Sequence, residues 1–192
     1  MRFWHRRPRE DYGAGAFILE ALPGTSVGAE IGVDRGEFSS RLLRHLRPTR
    51  LHLIDRWEYR TEAACDRSLY GGRLGVDQSH MDGLHRKVCR CLRREITRGT
   101  VCIHRARSQD AAAVPAQYFD WVDIDGDHRY EAVRADLEPY RGRIRAGGWV
   151  AGGGLRSRAW WGDGVVRAVS EFVAAGPVRR YEGHGDQFLI QL

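Results

Sequence analysis

Two carboxylates bracket a glycine in the segment Ala29-Glu30-Ile31-Gly32-Val33-Asp34-Arg35-Gly36, and a third, Asp55, follows Gly36 by nineteen residues. Glycines at a strand-to-helix turn bring backbone close to a ligand because no Cβ intervenes. A pyrophosphate at such a turn needs Gly-x-Gly-x-x-Gly and bare amides at a helix start. Here the spacing is Gly-x-x-x-Gly, and Glu30 and Asp34 would repel phosphates. The same acids suit a ligand that carries an amine cation and a sulfonium. Asp55 ends a second apolar run, the place where a carboxylate accepts hydrogen bonds from both hydroxyls of a ribose. Its neighbour Trp57 is placed to cover the face of a base.

A second polar group is Asp125-Gly126-Asp127-His128. His128 directly follows an acidic strand end and has Asp125 or Asp127 to orient it, and histidine is the side chain most often used to move a proton near neutral pH, so it is a candidate general base. The alternative is that His128 caps a helix beginning near Arg129. His184, in Gly183-His184-Gly185-Asp186, reads first as a turn residue and only second as a base. Cys65, Cys89, Cys91 and Cys102 show neither Cys-x-x-Cys spacing nor a disulfide-dense pattern, which points to reduced structural thiols in a cytoplasmic protein. The Cys89-x-Cys91 pair is closer than zinc motifs usually place their cysteines.

The elements that carry these residues alternate. A strand over 27–31 ends at the glycine loop, and Phe38, Leu42, Leu43 and Leu46 then recur at helical spacing. Strands are predicted over 51–55, 101–104 and 119–124, with a helical stretch over 81–96. Tyr130, Val133, Leu137 and Tyr140 define a helix that Gly147-Gly148 is expected to break. A short strand over 149–151, a helix over 165–174 and two closing strands over 178–181 and 187–192 complete the pattern. Repeated strand-helix units of this length give an α/β, Rossmann-like, doubly wound sheet of seven strands. It is mostly parallel, with helices on both faces and an antiparallel last strand, and ligands sit at the carboxyl ends of its strands. Residues 1–25 read as a basic extension and helix, 26–192 as the domain, and 58–99 as a lid or substrate-wall insertion.

With these elements in place the chain resembles the class I S-adenosylmethionine-dependent methyltransferases over nearly all of 26–172. One block is Glu30-Ile31-Gly32 through Gly36 with Leu53-Ile54-Asp55-Arg56-Trp57; the other runs from Phe119 through Asp125-Gly126-Asp127-His128 to Glu131, with Asp136-Leu137 and Gly147-Gly148-Trp149 beyond. The second block is similar to the small-molecule O-methyltransferases whose fourth strand ends in Ile-Asp-Gly-Asp-His. The resemblance implies that Glu30 and Gly32 approach the methionine part of the cofactor, and Asp34 and Gly36 of the same loop are read as cofactor-binding with them. It likewise puts Asp55 at the ribose, Ser108-Gln109 at the adenine, and Asp125 at the methyl-transfer centre.

In several relatives an acid at the position of Asp125 ligates magnesium together with acids at the end of the fifth strand. This chain reads Gly152-Gly153-Gly154-Leu155 there, so the expected carboxylate falls on Gly154. A hard dication needs several oxygen ligands, and no metal site is expected. The three glycines are expected to widen the pocket for a bulky acceptor. Trp160-Trp161 read as an aromatic wall of that pocket or as packing for the last helix.

The expected activity is methyl transfer to a hydroxyl of a small, secondary-metabolite-type molecule, by a protein that acts as a homodimer. Two other classes compete: a cofactor-binding protein without transfer, and a nucleic-acid methyltransferase. The net charge of +6 permits the latter, but the arginines are dispersed and no Asn/Asp-Pro-Pro-Tyr motif follows the fourth strand. A composition 42% hydrophobic and 29% charged argues against disorder, and no apolar run is long enough to span a membrane.

Overall fold

The computed structural model describes residues 15–62, 65, 68, 70–71, 77–111, 113–156 and 160–192. Most of the basic extension, 1–14, lies outside them. In chain order the elements are α1 (Ala16–Ala21), β1 (Val27–Ile31), α2 (Glu37–Leu46), β2 (Arg50–Asp55), α3 (Gln78–Cys91), α4 (Arg93–Thr97) and β3 (Val101–Arg105). They continue with α5 (Ser108–Ala111), β4 (Phe119–Ile124), α6 (Tyr130–Arg141), β5 (Ile144–Gly152), α7 (Gly164–Ala174), β6 (Arg180–His184) and β7 (Gln187–Gln191).

The seven strands form one sheet in the order β3-β2-β1-β4-β5-β7-β6. β1 pairs in parallel with both β2 and β4, so the strand order reverses beside it. β7 runs antiparallel between β5 and β6, as expected for the last strand. Buried apolar residues divide between the two faces. Ala29, Val122, Val133, Leu137, Val169 and Phe172 belong to one cluster, under α6 and α7. Leu42, Leu51, Leu53, Met81, Val88 and Trp121 belong to the other, under α2 and α3.

α2 shows why these segments are helical. Its apolar and small residues Ser39, Leu42 and Leu46 recur at three and four positions and are buried, and Gly36 supplies the left-handed turn that starts it. Complete burial of Leu42 alone is worth about 2 kcal/mol.

Two expectations about the elements change. Gly147 and Gly148 do not end α6, which stops at Arg141; they lie inside a nine-residue β5. A Cβ on Gly148 would stand 2.7 Å from the Asp120 carbonyl, at the place where the β4–β5 register shifts, so the glycine there permits close strand approach. The stretch 58–99 is also only partly an insertion. From Gln78 onward it is the ordinary crossover between β2 and β3, with Met81, Val88 and Leu92 buried against the sheet.

Candidate active site

A cleft of about 930 Å³ opens at the carboxyl ends of β1, β2 and β4, beside the reversal of strand order. Gly32 fixes its floor. The φ of Gly32 is +91°, and a Cβ there would lie 2.4 Å from the Asp125 carbonyl, so glycine alone lets the loop after β1 cross the loop after β4. Asp125 N–H donates to the Ile31 carbonyl at 2.8 Å and ties the two loops together.

Glu30, Gly32, Asp34, Asp55, Ser108, Gln109, Asp125 and His128, all anticipated as site residues, line this one cleft. Two others do not. Gly36 turns the chain into α2, with a φ of +76°. Trp57, expected to cover a base, is wholly buried under the glycine loop: its indole N–H donates to the Asp34 carbonyl at 3.0 Å and its ring lies 4.9 Å from that of His85. The reason is local. Trp57 N–H donates to Asp55 Oδ1 at 2.8 Å, and the tight turn this makes, with Trp57 at φ +41°, folds the indole back beneath the loop.

Asp55 is the hub of the loop. Its Oδ2 accepts from the N–H groups of Val33 at 2.8 Å and Asp34 at 3.0 Å, and from the Tyr70 hydroxyl at 2.7 Å. Burial beside Asp55 pushes the Tyr70 hydroxyl well above the usual phenol range, which keeps it a donor. Glu30, 2% exposed, accepts from the Ser39 hydroxyl at 2.5 Å. Burial raises its carboxyl well above the ordinary range; the Ser39 hydrogen bond opposes this, and Asp123, Asp125 and Asp55 reinforce it. Asp34 is also raised, chiefly by burial. A cluster of acids held partly in reserve fits a cationic ligand, and the apolar flank of Ile31, Val33, Ile54 and Phe38 fits its uncharged parts.

At the other end His128 Nε2 lies 3.1 Å from Asp125 Oδ1, and the Trp161 ring meets the imidazole edge-on at 4.6 Å. Trp160 and Trp161 both line the cleft, and the Trp161 N–H also donates to the Gly154 carbonyl. The glycine run does not leave open space. A Cβ on Gly153 would stand 2.9 Å from Asp125 Oδ1, and one on Gly154, whose φ is +91°, 3.0 Å from His128 Nδ1 and 2.8 Å from a Val165 methyl. Glycine is needed so that Asp125 and His128 can close over this strand end. His184 ends β6, stacked on Phe17 and away from the cleft.

These residues do not fit a carboxylate-held magnesium ion. Asp127 is engaged by the Arg129 guanidinium at 2.9 and 3.0 Å, the third position is Gly154, and no group of three ligating side chains gathers among the described residues.

Several lining residues were not singled out as site residues: Phe38, Asp136, and, from the stretch 58–99 read as a lid or substrate wall, Arg60, Cys65, Ser68 and Tyr70. Asp136 had a legible signal, since it shares the inward face of α6 with Val133, Leu137 and Tyr140. An acid at a core-facing position needs a partner or a ligand. Arg60, Cys65, Ser68 and Tyr70 come from an aperiodic segment that offers no pattern to read.

The sheet order, the reversal at β1 and the acid-lined cleft define the class I S-adenosylmethionine-dependent methyltransferase fold. The N-methyltransferase NodS of Bradyrhizobium japonicum has the same fold, at 17% identity and a TM-score of 0.57, with 91% of each chain covered. So does an S-adenosylmethionine-dependent O-methyltransferase of Thermotoga maritima, at 10% identity and a TM-score of 0.62 over 92% of this chain and 63% of that one. An rRNA methylase of Streptococcus thermophilus aligns at 12% identity and a TM-score of 0.56 over 91% and 90%. No curated protein matches the chain by sequence. A family model described as a methyltransferase domain matches residues 29–153, and the chain belongs to that family. Among the described residues no helix is long and apolar enough to cross a membrane.

Proposed function

We propose that this methyltransferase acts on a hydroxyl of a small molecule, with His128 as general base and Asp125 as its orienting partner. The observation that carries the reading is the convergence, in one cleft, of the acids Glu30, Asp34 and Asp55 with the His128–Asp125 pair. S-adenosylmethionine, when bound, supplies an electrophilic methyl on its sulfonium, which the acceptor oxygen takes in line while the S–C electron pair stays on sulfur. Glu30 and Asp34 are the acids at the methionine end, where a bound cation would favour their ionised forms, and Asp55 lines the cleft where ribose hydroxyls would sit.

With Nε2–H held by Asp125, Nδ1 of His128 is the nitrogen left to take the acceptor's proton. A hydroxyl needs such a base because it must lose its proton as the C–O bond forms. Trp160 and Trp161 supply flat apolar walls for a compact acceptor. The neighbouring Arg129 is paired with Asp127 and Arg60 with Glu62, which favours a small molecule over a nucleic-acid backbone. Four free cysteines favour a cytoplasmic setting.

Calorimetry with S-adenosylhomocysteine tests the cofactor assignment. The parent protein is expected to bind, and Asp55→Asn to bind at least about tenfold more weakly, the loss of roughly one charge-assisted hydrogen bond. Absence of binding by the folded parent would overturn the reading.

A further inference from the structure

Asp55 holds more donors than its place in the cleft requires. Its Oδ1 accepts one hydrogen bond, from the Trp57 N–H at 2.8 Å. Its Oδ2 accepts three, from the Val33 and Asp34 N–H groups at 2.8 and 3.0 Å and from the Tyr70 hydroxyl at 2.7 Å. A carboxylate oxygen has two lone pairs, so Oδ2 carries a donor beyond its ordinary capacity while Oδ1 keeps a position open. Asp55 is 8% exposed, so these protein donors satisfy it in place of bulk water.

The donors differ in kind. Val33 and Asp34 belong to the glycine loop and Trp57 to the turn after β2, and their N–H groups move only with the backbone. Among the described residues Tyr70 alone reaches Asp55 through a side chain. It is tied at its own backbone, where the Arg60 N–H donates to the Tyr70 carbonyl at 2.7 Å, and it packs against the buried cluster under α2 and α3. Rotation about its side-chain bonds withdraws the hydroxyl without unmaking the glycine loop. Tyr70 and Asp55 line the same cleft. A ribose that gives one hydroxyl to each carboxylate oxygen therefore finds a place on Oδ1, and none on Oδ2 while Tyr70 stays.

We propose that Tyr70 makes an autoinhibitory contact: its hydroxyl competes with a ribose hydroxyl for one acceptor position on Asp55 Oδ2, and the cofactor binds by displacing it. The assignment rests on the cofactor reading above. A ligand that must displace an internal partner binds more weakly in proportion to how well that partner holds. Tyr70 thus tunes the affinity for cofactor and spent cofactor alike, and keeps the latter from being retained after transfer. A ligand without ribose hydroxyls makes no claim on Oδ2, and the tyrosine does not oppose it.

The test compares S-adenosylhomocysteine with its 2′,3′-dideoxy analogue by calorimetry on the full chain and on Tyr70→Phe, which removes the hydroxyl and keeps the ring. Tyr70→Phe is expected to bind S-adenosylhomocysteine about tenfold more tightly than the parent, and the dideoxy analogue within about twofold of it. Tyr70→Leu serves in the same comparison if the Phe variant does not fold. A tyrosine that steadies Asp55 or covers a bound ribose would leave the variant binding S-adenosylhomocysteine no better, or more weakly. One that merely fills space would make the variant bind both ligands more tightly by the same factor. Either result overturns the assignment alone, whereas a parent and variant that bind neither ligand overturn the cofactor reading and this assignment with it.

Discussion

Glu30 and Asp123 stand side by side, in register on β1 and β4, both buried, and Asp123 Oδ1 has no hydrogen-bond partner among the described residues. Burial first, and Asp125 second, raise the Asp123 carboxyl well above its ordinary value of 3.8. The folded protein therefore holds a proton that the unfolded chain releases, and stability falls as pH rises from near 3.8 towards the folded value. Asp123→Asn removes that titration. Its stability relative to the parent should rise with pH across this window, read from urea midpoints between pH 4 and 8, and parallel pH profiles would refute the argument. His128 gives a second prediction. His128→Gln should lower kcat by about 10²–10⁴ on a hydroxyl acceptor found by panel screening, while S-adenosylhomocysteine affinity stays within about twofold. An unchanged kcat would assign His128 to capping instead.

At the scale of elements, the two loops that meet at Gly32 make the site a property of strand crossing. Gly32→Ala must bring its Cβ against the Asp125 carbonyl and also hold a left-handed φ, and it should cost about 3 kcal/mol in urea unfolding. Gly99→Ala is the matched control: its φ is +74°, nothing stands within 4 Å, and only the backbone cost of about 1–2 kcal/mol applies. Equal losses would mean that the close approach carries no weight. The strands at 27–31 and 119–124 were legible to the residue because each apolar run ends at a carboxylate or a glycine turn. β5 was not, because a glycine pair after a helix carries the same signature whether it ends the helix or relaxes a strand. Trp57 was misplaced for a related reason. Position after Asp55 fixes its place in the chain, whereas the turn that buries it depends on a hydrogen bond to the carboxylate itself.

Over the whole molecule, alternation of strands and helices was enough to read the seven-stranded sheet, since parallel neighbours require crossovers of this length. The cofactor end of the cleft was legible for the same reason: Glu30, Gly32 and Asp55 lie at strand ends, and strand ends converge. The acceptor end was not. Gly153 and Gly154 read as vacancies, because sequence shows the missing side chains and not the imidazole and carboxylate that close over them. Neighbours of this fold include an N-methyltransferase, an O-methyltransferase and an rRNA methylase, so architecture leaves the acceptor to the loops. The placing of β7 between β5 and β6 bears on how such a molecule is made. During synthesis the edge of β5 stays unpaired from the time residue 152 is made until residues 187–191 leave the ribosome, so over that interval the nascent sheet exposes a row of free amides and carbonyls, which β7 then covers.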